Sequence, residues 1–154
     1  MPSSSRRLSA ARFVVAGLTT AFLLAAVWPI TSPATPHWEV WVVDENGHAL
    51  QGMTVRLVWE NYSAESESHE QDLRTDENGY VVFPARTFKA SALRRLFGTI
   101  RAARAGVHAS FGPHAYVFAF GRVLEGDAVA HGYITDWTGK PDEMQSRIVA
   151  GAKR

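Results

Sequence analysis

The 154-residue sequence contains no cysteine. This absence excludes disulfides, thiolate metal sites and a cysteine nucleophile, and it also excludes the lipid-modified cysteine of a bacterial lipoprotein. If the protein is exported, its folded part must therefore be stabilised by its core alone.

Acidic residues are missing from two long stretches. The first 30 residues contain three arginines and no acid, and residues 80–124 contain seven basic residues and no acid. Residues 39–77 hold ten acids against two arginines. Without the leader, the chain has 13 basic and 15 acidic residues, which is nearly neutral and argues against a nucleic-acid-binding protein.

An apolar run follows the basic start of the chain. Arg6, Arg7 and Arg12 precede residues 13–27, which carry no charge. This order is typical of an export signal, and an extension by three residues reaches about the minimum length for a membrane span. We therefore interpret residues 1–30 as a signal peptide or an N-terminal membrane anchor, with the rest of the chain outside the cytoplasm.

Both fates of this leader are compatible with the sequence. Ser32-Pro33-Ala34 resembles a small-x-small cleavage site, although Pro29 and Pro33 weaken it. A cleaved protein would be periplasmic or secreted, and a retained one would be anchored in the inner membrane and face the periplasm. Residues 31–36 are rich in proline and threonine, and we predict a stiff, extended linker there.

A tetrapeptide occurs twice, as Asp44-Glu45-Asn46-Gly47 and as Asp76-Glu77-Asn78-Gly79. An aspartate carboxylate accepts hydrogen bonds from amides further along a turn, and Asn-Gly supplies left-handed backbone. β-type residues flank both copies, so we predict two hairpin-like corners in one small β-domain.

The segment after the first turn alternates between apolar and polar residues. Its apolar members are predicted to face the core of an antiparallel β-sandwich; they are Met53, Val55, Leu57 and Trp59. We assign this all-β domain to residues 37–154. It also includes apolar strands over residues 80–83, 107–111 and 116–120 and weaker candidates over residues 128–135 and 147–150.

The two turns and the residues between them resemble the carboxypeptidase regulatory-like domain. The resemblance covers residues 39–83, and its motifs are Val43-Asp44-x-x-Gly47, Ala49-Leu50-x-Gly52-x-x-Val55-x-Leu57 and Thr75-Asp76-x-x-Gly79-x-Val81-x-Phe83. It implies a transthyretin-like (prealbumin-like) seven-stranded β-sandwich, a scaffold that serves many functions. The hydroxyisourate hydrolases use this scaffold, but their C-terminal Tyr-Arg-Gly-Ser is absent here.

A helix interrupts the β-domain at about residues 91–104. Ser91 can cap it, and its apolar residues recur at helical spacing: Leu93, Leu96, Phe97 and Ile100. We expect this insertion to pack on the sandwich through its apolar stripe. Its arginines would then form an outward positive ridge, which we take as a candidate interaction surface: Arg94, Arg95, Arg101 and Arg104. The expected partner of the ridge is anionic lipid or the acidic 60–77 region, of the same molecule or a neighbour. The alternative is a solvated helix with no partner.

Trp41 is a further candidate interaction residue, because it alternates with Trp38 and should lie on the opposite face of its strand. Phe118 and Phe120 are interpreted as core. The six histidines lack the spacing of a metal site. We assign no catalytic, metal or cofactor-binding residue.

The sequence thus predicts an exported, non-enzymatic binding or structural module of the cell envelope. Its partners would be the membrane, through the N-terminal segment, and an envelope protein, a glycan or anionic lipid. The alternative is a small envelope hydrolase, or a metal- or sugar-binding accessory domain, on the same scaffold.

Overall fold

The computed structural model describes residues 4–122, 124–127 and 136–152. It contains a long N-terminal helix α1 (Ser4–Val27), a second helix α2 (Ala92–Ala103) and a short 3-10 helix (Gly106–His108). The strands are β1 (Pro29–Thr35), β2 (His37–Val43), β3 (Thr54–Asn61), β4 (His69–Arg74), β5 (Tyr80–Phe83), β6 (Arg86–Ser91), β7 (Pro113–Phe120), β8 (Leu124–Asp127), β9 (Asp136–Trp137), β10 (Glu143–Val149) and β11 (Gly151–Ala152).

Most of these strands form two facing sheets, so the predicted β-rich, sandwich-like domain is confirmed. One sheet has the order β10-β2-β5, and the other has the order β11-β8-β7-β3-β4, with β9 also paired to β7. The prediction of a purely antiparallel sandwich is wrong in one place, because β10 runs parallel to β2.

The core lies between these two sheets, as the alternation in β3 predicts. Met53, Val55 and Leu57 are buried, and Trp59 is partly buried against the same cluster. Trp38 faces them from β2, and its indole Nε1 donates a hydrogen bond to Ser146 Oγ at 2.9 Å. The polar nitrogen of this buried indole thus has a hydrogen-bond partner inside the core.

The repeated tetrapeptides form the same turn twice. Asp44 Oδ1 accepts hydrogen bonds from the backbone amides of Asn46 and His48, both at 2.8 Å. Asp76 Oδ1 accepts equivalent bonds from residues 78 and 80. Gly47 and Gly79 have φ values of 86° and 69°, the left-handed conformation that glycine adopts without strain. The predicted capping role of both aspartates is confirmed.

Both turns carry the chain from one sheet to the other. The first follows β2 and leads towards β3, and the second leads from β4 to β5. The two corners also pack together: the amide of Val42 donates to the carbonyl of Gly79 at 2.8 Å, and a Cβ on Gly79 would collide with the Val42 carbonyl. They are corners of the sandwich rather than simple hairpins.

A separate two-stranded ribbon, β1 with β6, corrects the prediction of a linker at residues 31–36. That segment is extended, but residues 31–35 belong to a strand. Since Pro29 lies opposite Ser91, the ribbon brings the end of α1 and the start of α2 together.

The prediction of a strand over residues 107–111 is also wrong, because that region contains the 3-10 helix. The predicted strand at 128–135 lies outside the described residues.

Candidate functional site

Helix α2 forms as its sequence predicts and begins at its predicted cap. Ser91 Oγ accepts a hydrogen bond from the amide of Arg94 at 3.2 Å. The buried residue of the helix is Gly98. A Cβ at this position would collide with the backbone of Ser63 and Ala64, so the helix lies directly against the loop that follows β3.

The arginines of α2 bind this loop and the ribbon. Arg94 Nε donates to the carbonyl of Ala64 at 2.8 Å, and the Arg101 guanidinium donates to the carbonyl of Glu65. Arg95 donates to Ser32 Oγ at 2.8 Å and to the carbonyl of residue 30. Of the four arginines predicted to form an outward ridge, Arg94, Arg101 and Arg104 are exposed and Arg95 is half-buried. Three of them, Arg94, Arg95 and Arg101, bind groups of their own chain. Arg94 and Arg101 do so in the acidic 60–77 region, but they contact its backbone carbonyls and not its carboxylates.

The apolar stripe of α2 points to solvent instead. The exposed fractions are 40% for Leu93, 55% for Leu96, 62% for Phe97 and 46% for Ile100. The prediction that this stripe packs on the sandwich is wrong. The physical reason is that the close contact is made at Gly98 and by arginine donors to loop carbonyls, which places the stripe on the opposite side of the helix.

A cleft of about 510 Å³ lies beside this stripe. We call it the arginine cleft; its lining residues are Ala64, Ser66, Arg94, Phe97, Gly98, Arg101 and Arg104. Three guanidinium groups thus border one cleft, and none of the described residues that line it is a carboxylate. Planar guanidinium groups bind phosphate and carboxylate oxygens well, so the cleft suits an anion next to an apolar surface. We call the stripe and the cleft together the α2 surface.

Helix α1 adds further exposed apolar side chains near α2, with which it is in contact. Phe13, Phe22 and Leu24 are exposed, as are Trp28 and Ile30 just beyond the helix. A hydrophobic N-terminal helix was predicted and is present. No helix of the described residues is both long and apolar enough to cross a membrane, so the predicted transmembrane helix is not found.

Trp41 lies apart from the α2 surface, on the outer face of the β10-β2-β5 sheet. It is half-buried, and its ring centroid is 5.1 Å from that of Tyr80. The predicted separation of Trp41 from the buried Trp38 is confirmed. The structure shows no contact between Trp41 and the arginines of α2 that were predicted with it.

Among the described residues, His37, His48 and His69 lie beside single carboxylates, and His114 lies beside aromatic rings. His48 lies 3.1 Å from Asp44, and His69 lies 2.8 Å from Glu65. The pKa of Asp44 is held below its usual value, mainly because the backbone amide of His48 donates to it. In the part of the chain that the structure describes, no three His, Asp or Glu side chains are grouped to hold a metal ion.

A second exposed feature was missed by the sequence analysis. Phe118 and Phe120 were predicted to be core, but they are only half-buried, and the buried residues of β7 are Ala115, Val117 and Ala119. The strand therefore places its small residues inward and its large rings outward. The alternation of alanine with aromatic residues was the signal for this orientation.

Comparison with known proteins identifies no relative: no family model, no curated protein and no solved structure matches this chain.

Proposed function

We propose that this protein is an exported, non-enzymatic module of the cell envelope that binds the surface of an anionic membrane through α2. The carboxypeptidase regulatory-like resemblance fits this role, because that scaffold presents binding surfaces on a stable sandwich. Export is supported by the basic, acid-free leader followed by its apolar run.

The observation that carries the proposal is the orientation of α2. Leu96 and Phe97 are more than half exposed, although the same helix holds arginines against the domain. An amphipathic helix with leucine and phenylalanine on its free face and arginines beside it is typical of helices that lie in the membrane interface. The apolar side chains enter the boundary between headgroups and acyl chains.

The arginine cleft adds the electrostatic part of the binding. Arg104 is exposed, and it borders the cleft together with Arg94 and Arg101. Lipid phosphates would meet these guanidinium groups at the depth where Phe97 enters the interface. Basic residues near an anionic membrane contribute about 1 kcal/mol each, and salt screens this contribution.

Vesicle binding by the full-length chain tests the proposal. We expect tighter binding to vesicles of phosphatidylcholine with phosphatidylglycerol than to phosphatidylcholine alone, and a smaller difference at high salt. Arg104→Gln should weaken binding to the anionic vesicles about fivefold, which corresponds to about 1 kcal/mol. Arg122→Gln is the matched control, because Arg122 is exposed but lies outside α2.

Two results would contradict this assignment. Equal binding to neutral and anionic vesicles would remove the role of the cleft, and equal losses from the two arginine variants would indicate only diffuse charge. Export is tested separately by a C-terminal reporter that is active only in the cytoplasm. We expect this reporter to be silent on the full-length chain.

A further inference from the structure

Five aromatic rings form a continuous row that the proposed membrane contact does not use. We call it the aromatic row; its members are Tyr62, His114, Tyr116, Phe118 and Phe120. Neighbouring ring centroids along the row are 5.8 to 6.2 Å apart. Four of the rings come from alternate positions of β7, so they project from one face of the sheet.

The row lies along the middle of the sheet and not at its edge. Strand β7 is paired on one side with β3 and on the other with β8 and β9. Tyr116 is 38% exposed, and the other four residues are half-buried. A ligand on this face would therefore contact ring surfaces rather than unpaired backbone groups.

Carboxylates border the row on both sides. Glu60 lies opposite His114, and Asp127 lies opposite Phe118. Asp136 lies opposite Tyr116. Residues at paired positions in an antiparallel sheet share a face, so these acceptors lie beside the rings.

One arginine also lies on this face, but its charge is balanced. Arg56 forms ion pairs with Asp72 and Glu70, both at 2.7 Å. Its guanidinium carbon lies 5.4 Å from the Phe120 ring centroid. Because both charged partners are already in place, the charge of Arg56 is balanced within the protein, and the carboxylates that border the row disfavour an anionic polymer.

A small cleft of about 180 Å³ lies at the Tyr62 end of the row, between Glu60, Ser68, His114 and Tyr116. Partial burial, and then the charge of Glu60, raise the pKa of Tyr62 above its usual value. The phenol O–H of Tyr62 can donate a hydrogen bond. The cleft combines this donor with the carboxylate of Glu60 and the rings of His114 and Tyr116.

We propose that the aromatic row binds an extended, uncharged polysaccharide. A sugar ring has an apolar C–H face, which packs on an aromatic ring, and an edge of hydroxyl groups, which donate to carboxylates. A row of rings with acceptors on both sides offers these two contacts repeatedly along one line. A peptide strand would need a free sheet edge, whereas β7 is paired on both sides at Tyr116 and Phe118.

Affinity electrophoresis of the full-length chain tests this proposal. Gels would contain hydroxyethylcellulose, soluble starch, glycol chitin or, as the anionic comparison, dextran sulfate. A polyoxyethylene detergent keeps α1 soluble and introduces no competing sugar. We expect retardation by at least one uncharged polymer, and Tyr116→Ala should weaken it roughly tenfold. Phe111→Ala is the control, since Phe111 is an exposed aromatic residue outside the row.

Several results would overturn the proposal. These are retardation by dextran sulfate alone, no retardation by any uncharged polymer, and equal losses from the Tyr116 and Phe111 variants. Light scattering on the same samples measures the oligomeric state and provides one more result that could overturn the proposal. If the protein is a dimer and Tyr116→Ala makes it monomeric, the row is an interface between two copies and not a glycan site.

Discussion

The sandwich buries or partly buries its leucine side chains, whereas α2 exposes its leucine side chains to solvent. Leu57 in β3 is 0% exposed, whereas Leu96 in α2 is 55% exposed. Both leucines belong to regular amphipathic patterns, one with a period of two and the other with a helical period. The comparison teaches that an amphipathic pattern predicts a helix or strand and its two faces, but not which partner covers the apolar face.

The largest expected effect contrasts these two leucines. Leu57→Ala should lower the free energy of unfolding by about 2–5 kcal/mol, because it leaves a cavity in a packed core. Leu96→Ala should change it by less than about 0.5 kcal/mol, since its side chain contacts mainly solvent. Urea denaturation of both variants checks this. Similar large losses would mean that the α2 stripe is buried after all.

A smaller effect is expected at the contact that orients α2. Gly98→Ala places a Cβ against the Ser63 carbonyl, and we expect a loss of about 1–3 kcal/mol, typical of overpacking. Gly17→Ala in α1 is the matched control, because no atom other than the neighbouring helix backbone lies within 4 Å of its added Cβ. That change should be neutral or slightly stabilising, as alanine favours helix. Stabilisation by both substitutions would contradict the contact between α2 and the loop.

The smallest effect concerns a corner of the sandwich, where stability should depend on pH. The pKa of Asp44 is lowered from its usual value of 3.8 by the hydrogen bond from the His48 amide. A lowered pKa stabilises the folded state above pH 3.8, and this contribution is lost as pH falls through the folded-state pKa. Asp44→Asn should therefore flatten the dependence of unfolding free energy on pH below about pH 4, relative to the wild type.

The control for this corner is Glu77→Gln, an exposed position in the second copy of the turn. It should leave the pH dependence of stability close to that of the wild type. Curves for the Asp44 variant and the wild type that run parallel in acid would contradict the role given to this carboxylate.

The sandwich could be predicted in some detail because its signals are local. The alternation in β3 and the two Asp-x-Asn-Gly turns specify strand faces and corners without knowledge of the rest of the chain. The sequence signals for α2 are equally local, since Ser91 and the spacing of the leucines are sufficient to indicate a capped helix. These predictions needed no tertiary information.

The orientations of α2 and of the large rings of β7 depend on long-range contacts and were not predicted correctly. The orientation of α2 is set by Gly98 against Ser63, a contact that helical spacing does not reveal, although a glycine inside a helix often marks a close approach. Strand β7 is apolar on both faces, so hydrophobicity alone does not identify Phe118 as an outward residue, and only the alternation of small residues with large rings indicates it. The pairing of residues 29–35 with β6 is likewise long-range, and the prolines suggested only extended backbone.

The most direct test of the central claim is the depth of α2 on a membrane. Because the chain lacks cysteine, Leu96→Cys introduces a single site for a nitroxide spin label, and Glu77→Cys provides a labelled control on an exposed turn. On adding anionic vesicles, we predict that the label at 96 becomes more accessible to oxygen and less accessible to a water-soluble nickel complex. The label at 77 should keep its solvent accessibility. If the label at 96 remains as accessible to the nickel complex as the label at 77, α2 does not enter the membrane interface.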